Sequence, residues 1–174
     1  QAEHDVLASA VLLTTSQRLA EEVNRELRRQ IGALSRAGII RTSLRDFGCA
    51  IVCGSLEDAV ALANEIAPEH LEIMTARPRA LLPGIKNAGA VFLGAWSPEP
   101  LGDYAAGPDH VLPTSGTARF FSPLSVESFL KTMSVIEYDK ASLAPVAGQI
   151  ITLAQADRLT GHANSIKIRF EPEE

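Results

Sequence analysis

The residues best suited to acid–base chemistry are an adjacent carboxylate and imidazole, Glu69 and His70, in the segment APEHLE. They follow a predicted helix that Pro68 helps to end, and such positions at the ends of elements commonly hold general bases. The alternative is that His70 only stabilises the C-terminal end of the helix dipole. The residues alone leave both interpretations open.

Four further polar residues have types that suit a metal ion. Gln1 and His4 share one face if the first residues form a helix, and Asp103 lies in a loop whose glycines permit close approach to a ligand. His162 follows a predicted long helix. Together they offer the nitrogen and oxygen donors that Zn²⁺ accepts. For each residue taken singly an alternative stays open: His4 as a solvated terminal residue, Asp103 as a turn residue and His162 as a helix cap.

Composition argues against several classes of function. The 174 residues carry a net charge of −5, whereas nucleic-acid binding favours a basic surface. No apolar run approaches the ~20 residues needed to cross a bilayer, and no glycine-rich nucleotide-binding motif is present. Cys49 and Cys53 have neither zinc-site nor disulfide-framework spacing, so we predict that they pack as small hydrophobic residues. A cytoplasmic protein is expected.

The hydrophobic pattern predicts an α/β fold. Ser16 and Ser55 are the predicted N-caps of the first two helices, and Ser125 and Ser142 those of two later ones. Alternation of strand and helix is typical of an open, mostly parallel sheet. The predicted strands cover residues 9–14, 48–53, 71–74, 90–93 and 165–170, and the predicted helices cover 16–31, 55–66, 126–135 and 143–159.

A long segment rich in glycine and proline, from Gly94 to Pro123, interrupts this pattern. It lacks a helical period, and loops of this length inside a compact domain are usually functional or disordered. Its aromatic residues favour function over disorder. These are Trp96, Tyr104, Phe120 and Phe121.

Five motifs follow one another along the chain: QAEHD, LANEIAPEHLEI, NAGAVFLG, SPEPLGDYAAGPDHVLPTSGTARF and HANSIKIR. In this order and spacing they resemble the C-terminal part of histidinol dehydrogenase, from Gln1 to about Arg169. The resemblance implies zinc-dependent oxidation of L-histidinol through histidinal to L-histidine with two NAD⁺. It also implies that the NAD-binding part lies before Gln1, where the chain starts without Met. We therefore expect the isolated chain to be inactive.

The resemblance also implies a role for each polar residue of these motifs. His70 would take protons during hydride transfer, and Glu69 would help to activate water. Asp157 stands where the family usually has a glutamate that contacts the substrate, so its shorter side chain puts that contact in doubt. The implied zinc ligands are Gln1, His4, Asp103 and His162, and the implied substrate-binding residues are His4, Asp103, Tyr104, His110, Asp157 and His162.

By the same resemblance the protein is a homodimer whose tail places His162 in the partner's site. Residues 1–124 would then be the C-terminal half of a Rossmann-like catalytic domain, part of an incomplete parallel sheet with flanking helices. Residues 125–174 would be a helical tail. Two other functions stay open: a non-catalytic module that binds a metal or an imidazole, and a zinc hydrolase, which the absence of an HExxH spacing disfavours.

Overall fold

The computed structural model describes residues 1–172 and contains two pairs of parallel strands. Strand β1 (Val11–Thr14) pairs with β2 (Cys49–Val52), and β3 (His70–Ile73) pairs with β4 (Ala90–Leu93). Within the described residues these pairs form two separate two-stranded sheets. The prediction of an α/β fold with parallel strands is confirmed, and the Rossmann-like arrangement stays a prediction.

Helices connect the strands in the order that parallel pairing requires. Helices α1 (Gln17–Ile31) and α2 (Ala37–Phe47) join β1 to β2, and α3 (Leu56–Ile66) leads from β2 to β3. A short helix, α4 (Pro78–Leu81), and a 3-10 turn at Leu82–Gly84 join β3 to β4. None of the helices among residues 1–172 is long and apolar enough to cross a membrane.

Two of the predicted N-caps are confirmed by their hydrogen bonds. Ser16 Oγ accepts from the backbone N–H of Leu19 at 3.2 Å, and Ser55 Oγ accepts from that of Asp58 at 3.0 Å. Each hydroxyl satisfies a backbone donor that the first turn of a helix leaves without a partner.

Helix α2 lies in a segment, residues 32–47, for which neither a helix nor a strand was predicted. Gly38 falls in its first turn, where a glycine disturbs the helix less than in its interior. Ile40 is 5% exposed, and the fully buried Ser43 donates from its Oγ to the carbonyl oxygen of Ala8 at 2.7 Å. Packing of this face therefore stabilises a helix that the local sequence does not indicate.

Asn64, in the last turn of α3, fixes the segment that leads into β4. Its Nδ2 donates to the carbonyl oxygen of Gly84 at 2.9 Å, and its Oδ1 accepts from the backbone N–H groups of Lys86 and Asn87 at 2.7 and 3.1 Å. Asn87 Nδ2 in turn donates to the backbone oxygen of Asn64 at 3.0 Å. One amide side chain thus ties α3 to the approach of β4.

The prediction that the cysteines pack as small hydrophobic residues is wrong for Cys49. Both cysteines are free; Cys53 is half-buried, whereas Cys49 is exposed. The cause is the environment of β2, in which Cys49, Ala50 and Val52 all remain exposed. The run is apolar, but β2 is not the buried strand that was predicted.

The helix predicted over residues 126–135, with Ser125 as its cap, is wrong. Val126–Phe129 forms a single 3-10 turn, and residues 130–139 form neither helix nor strand. Val126, Phe129, Leu130 and Met133 have helical spacing but are 66–78% exposed. Without a packed apolar face, most of the stabilisation of a helix in a protein is missing.

The chain divides into two compact units, Gln1–Phe129 and a second unit that begins at Leu130. In the second unit, helices α6 (Lys140–Ala156) and α7 (Thr160–Lys167) pack together. The strand predicted over 165–170 is wrong, because Ala163 and Ile166 share one helical face and Ala163 is 2% exposed. The alternation of the segment SIKIRF is a local pattern that helix packing overrides.

Asp139, rather than the predicted Ser142, caps α6. Its Oδ1 accepts from the backbone N–H of Ser142 at 2.7 Å, and Pro145 lies inside the helix, beyond the first turn. The hydrogen bonds from Ser142 lower the pKa of the Asp139 carboxyl below its ordinary value of 3.8.

We expect Asp139→Ala to lower the melting temperature at neutral pH, and Asp139→Asn to lower it less, since asparagine keeps the capping oxygen. Because the folded-state pKa is depressed, the contribution of the carboxylate is present above about pH 3.8 and is lost as the pH falls below that value. Thermal melts of the three proteins between neutral pH and pH 3 test this. If the difference in melting temperature between the unchanged protein and Asp139→Ala did not shrink on acidification, the prediction would be contradicted.

Candidate active site

The junction between α3 and β3 places Glu69 and His70. Helix α3 ends at Ala67, which is fully buried and has a left-handed backbone (φ 50°). Its N–H donates to the carbonyl oxygen of Ala63 at 2.9 Å, so the helix closes and the chain turns at once into Pro68 and the strand. The helix end anticipated at Pro68 is confirmed.

Strand β4 holds the backbone of this junction. The N–H of Gly89 donates to the carbonyl oxygen of Pro68 at 2.9 Å, and that of Ala90 to the carbonyl oxygen of Glu69 at 2.8 Å. Gly89 is buried, and a Cβ atom there would lie 2.5 Å from the oxygen of Glu69. The backbone that carries Glu69 and His70 is therefore fixed by the helix end at Ala67 and by the hydrogen bonds from Gly89 and Ala90.

Gln1 reaches Glu69 from the N-terminal turn. Its Nε2 donates to Glu69 Oε2 at 3.3 Å, and the N–H of His4 donates to the carbonyl oxygen of Gln1 at 3.1 Å. Arg36 anchors the same turn by donating from Nη2 to the carbonyl oxygen of His4 at 3.1 Å. The structure thus brings Gln1 to Glu69 and keeps His4 within one turn of Gln1.

His70 lies between two carboxylates. Its side chain is 14% exposed, its Nδ1 is 4.0 Å from Glu69 Oε2, and its Nε2 is 3.4 Å from Glu99 Oε1. Both ring nitrogens and Glu99 Oε1 are buried, and none of the three has a hydrogen-bond partner within the described residues. An imidazole flanked in this way has the surroundings of a general base.

Glu99 is the functional candidate that the sequence analysis missed. It begins a short helix, α5 (Glu99–Tyr104), inside the segment predicted to lack helices. Its backbone N–H donates to Glu72 Oε1 at 2.8 Å. In the motif SPEPLGD it reads as one acidic residue among prolines, so only the fold brings it to His70.

Asp103 lies one turn after Glu99 on the same helix. One donor atom from each of His70, Glu99 and Asp103 lies within 4.8 Å of the other two. Among residues 1–172 this is the group of three histidine, cysteine or acidic side chains with such spacing. Asp103 therefore lies close to the acid–base candidate His70, and its predicted role as a zinc ligand together with His4 and His162 stays a prediction.

A cavity of about 450 Å³ opens beside α5 and β4. This volume lies within the range of sites for small molecules, about 300–1,000 Å³. His110, predicted to lie near the substrate, is exposed at its edge, and Tyr104 is 87% exposed. The lining includes Phe92, Leu101, Asp103, Asp109, His110 and Pro123.

Arg119 connects the loop that contains Gly116 to helix α3. Its guanidinium donates to the carbonyl oxygen of Gly116 at 3.0 Å and to that of Glu65. Gly116 has a φ of 78°, and a Cβ atom there would lie 2.6 Å from Arg119 Nη1. The loop is thereby tied to the last turn of α3, which carries the Glu69–His70 junction.

The two predicted site residues of the second unit are both exposed. Asp157 is the C-cap of α6, and His162 lies on α7, where its carbonyl oxygen accepts from Ser165 Oγ at 2.7 Å. The expectation that these side chains complete a site on a partner subunit stays a prediction.

Comparison with known proteins decides the family. A family model described as histidinol dehydrogenase matches residues 1–170. The chain belongs to the histidinol dehydrogenase family. Histidinol dehydrogenase from Caldanaerobacter subterraneus subsp. tengcongensis is 61% identical over 170 residues, which are 98% of this chain and 40% of that protein. The protein of the same name from Lactococcus lactis is 50% identical over 171 residues, again 98% of this chain and 40% of the relative.

A solved histidinol dehydrogenase has the same fold over this length. The crystal structure of the enzyme from Elizabethkingia anophelis superposes with a TM-score of 0.87 at 33% identity, and covers 97% of this chain and 39% of that one. The chain thus spans about 40% of the length of the curated relatives that it matches. The resemblance drawn from the motifs is confirmed, and the chain is part of an oxidoreductase family.

Proposed function

We propose that this chain supplies the acid–base and metal-binding residues of a histidinol dehydrogenase, which oxidises L-histidinol through histidinal to L-histidine. The observation that carries the proposal is the half-buried His70, whose ring nitrogens are both buried, with Glu69 and Glu99 on its two sides and Asp103 close by. The 450 Å³ cavity beside α5, whose lining includes Asp103 of this group but not Glu69, His70 or Glu99, has the volume of a site for a small molecule.

His70 would serve as the proton acceptor in both oxidations. In the first, it takes the hydroxyl proton while hydride leaves the alcohol carbon, which yields the aldehyde. Glu69, 28% exposed beside His70, would accept a proton from the water that adds to the aldehyde. In the second oxidation His70, after it has released the first proton to solvent, would take a hydroxyl proton of the resulting hydrate. NAD⁺, which by the resemblance would be held by residues that precede Gln1, would supply the hydride acceptor for both oxidations.

The residues present fit a zinc ion by their donor chemistry. The carboxamide oxygen of Gln1, the His4 imidazole and the Asp103 carboxylate are donors of the kinds that zinc accepts, and Gln1 contacts Glu69 through its nitrogen, which leaves the oxygen for a metal. With His162 of a partner subunit they would make four ligands in a homodimer. The metal would orient the amine and imidazole of the substrate and act as a Lewis acid.

The function is tested with a chimera: the Caldanaerobacter relative in which the matching segment is replaced by residues 1–170 of this chain. We expect the purified chimera to reduce NAD⁺ with L-histidinol, measured as NADH absorbance, and the 174-residue chain alone to show no turnover. A folded chimera that binds zinc and L-histidinol in calorimetry without turnover would favour the non-catalytic binding module instead.

Removal of a metal ligand gives a separate prediction. In the chimera, Asp103→Ala and His162→Ala should each weaken zinc binding by more than about 100-fold, because loss of a direct ligand exceeds the about 10–100-fold cost of disturbing its outer shell. Zinc content per chain and competition with a chromophoric chelator measure this. Asp46→Ala, at an exposed carboxylate paired with Arg45, should keep full zinc content. Unchanged zinc affinity in both ligand variants would refute the ligand assignment.

A further inference from the structure

We propose that Glu99 is the positioning residue for His70: its carboxylate accepts the Nε2–H of the imidazole and leaves Nδ1, on the side of Glu69, unprotonated. The hydrogen bond follows from the distances and burial of these side chains, and the positioning role rests on the proposed function of His70.

The facing polar atoms of Glu99 and His70 are buried and unpaired within the described residues. Glu99 Oε1 and both nitrogens of His70 are buried without a hydrogen-bond partner within residues 1–172. A buried donor or acceptor without a partner is energetically unfavourable, because it has lost its hydrogen bonds to water. The Nε2–Oε1 separation of 3.4 Å is somewhat longer than a good hydrogen bond, and catalytic hydrogen bonds are often long before substrate binds. A small shift of the two side chains towards each other would therefore give both His70 Nε2 and Glu99 Oε1 a hydrogen-bond partner.

Glu69, the other carboxylate beside the His70 ring, is a weaker hydrogen-bond acceptor for the ring than Glu99. Glu69 Oε2 lies 4.0 Å from Nδ1, beyond hydrogen-bond distance, and already accepts from Gln1 Nε2. The side chain of Glu69 is also more exposed than that of Glu99, 28% against 21%. The proton of the neutral His70 ring is therefore expected on Nε2, because the carboxylate of Glu99, which is nearest to the ring, lies on the Nε2 side.

Strand β3 supports Glu99 as well as His70. Glu72 lies two residues after His70, on the same face of the strand, and its Oε1 accepts from the backbone N–H of Glu99 at 2.8 Å. Pro98, with φ −71°, restricts the chain immediately before. One face of β3 thus carries two residues that face Glu99: Glu72 binds the backbone N–H of Glu99, and His70 lies beside the carboxylate of Glu99.

Nitrogen-15 spectroscopy of the 174-residue chain, labelled at its four histidines, tests the hydrogen bond without any activity. At alkaline pH, where imidazoles are neutral, the chemical shifts of the ring nitrogens report which one carries the proton. The His70 signals are identified by their absence in His70→Asn. We expect the Nε2–H form to predominate in the unchanged chain and the Nδ1–H form to gain in Glu99→Leu.

The controls separate this effect from misfolding. Glu57→Gln, at an exposed carboxylate of α3, should leave the His70 signals unchanged, and dispersed amide spectra should show that each variant is folded. Glu99→Asp, which keeps the carboxylate, should retain more of the Nε2–H form than Glu99→Leu. A predominant Nδ1–H form in the unchanged chain, or no change in folded Glu99→Leu, would overturn the proposal.

Kinetics of the chimera test the positioning role. Glu99→Gln should lower kcat by about 10–100-fold, the cost of a misplaced catalytic group, with little change in KM and unchanged zinc content. Partial rescue is expected in Glu99→Asp. Unchanged kcat in an active Glu99→Gln chimera would refute the positioning role. If the unsubstituted chimera is inactive while the tautomer changes as expected, the hydrogen bond stands and the proposed function fails.

Discussion

Asparagine in place of His70 is expected to lower the turnover of L-histidinol by the chimera by about 10²–10⁴-fold, the usual contribution of a general base. Asparagine fills similar space and forms hydrogen bonds, but it does not accept a proton at neutral pH. The zinc content should be unchanged, because His70 is assigned to proton transfer and not to the metal. Steady-state NADH production and metal analysis of the same preparation measure the two effects.

The result also discriminates between two uses of the group around Asp103. If His70→Asn loses zinc together with activity, then His70, Glu99 and Asp103, whose donor atoms lie within 4.8 Å of one another, bind the metal, and the assignment of the base is wrong. Glu57→Gln, in the first turn of α3 and therefore at the opposite end of the helix from the Glu69–His70 junction, should retain both turnover and zinc.

Alanine in place of Gly89 is expected to lower the free energy of unfolding by about 2–3 kcal/mol, the upper part of the range for an overpacked interior. The added Cβ would lie 2.5 Å from the carbonyl oxygen of Glu69 and 3.2 Å from Pro113 Cδ. The first neighbour is backbone, so β4 must move away from the Glu69–His70 junction. Urea unfolding of the 174-residue chain measures the loss.

The same displacement should lower turnover of the chimera by about 10–100-fold, since small misplacements of catalytic groups have effects of that size. Gly148→Ala is the matched control: it lies inside α6, where an added Cβ meets nothing within 4 Å, and it should raise stability by about 0.5–1 kcal/mol. Equal stability of the Gly89 and Gly148 variants would show that β4 accommodates the methyl group without strain.

Local chemistry explains which elements could be predicted from the sequence. Ser16 and Ser55 are hydroxyl residues directly before periodic apolar segments, and a cap needs only such a local hydrogen bond. The bounds of β4 coincide with the predicted 90–93, because a short apolar run between turn residues is also a local signal.

The wrong predictions depend on packing that no local pattern contains. The segment SIKIRF alternates like a strand, but Ala163 and Ile166 place it against α6 as a helix. Val126 and Met133 have helical spacing, yet their exposed side chains provide no packed face. Burial decides between equally good local patterns, and burial is a property of the whole fold.

The candidate site divides in the same way. Glu69 and His70 are neighbours in sequence and could be recognised from residue types alone. Glu99 lies 3.4 Å from His70 because β3 and α5 meet, and nothing in its own surroundings along the chain indicates that contact. The sequence therefore indicates the reactive side chains, while the groups that orient them emerge only from the fold.

The buried left-handed Ala67 limits which sequences can carry this site. Its methyl group has no exposed surface, so a larger side chain would have to displace its neighbours, and a φ of 50° disfavours every residue except glycine and, less strongly, asparagine or aspartate. Glycine thus meets both restrictions, whereas alanine fits the space but adopts a backbone conformation that is unfavourable for it. Variation two positions before Glu69 is restricted by chain geometry, independently of any demand from the chemistry of the reaction.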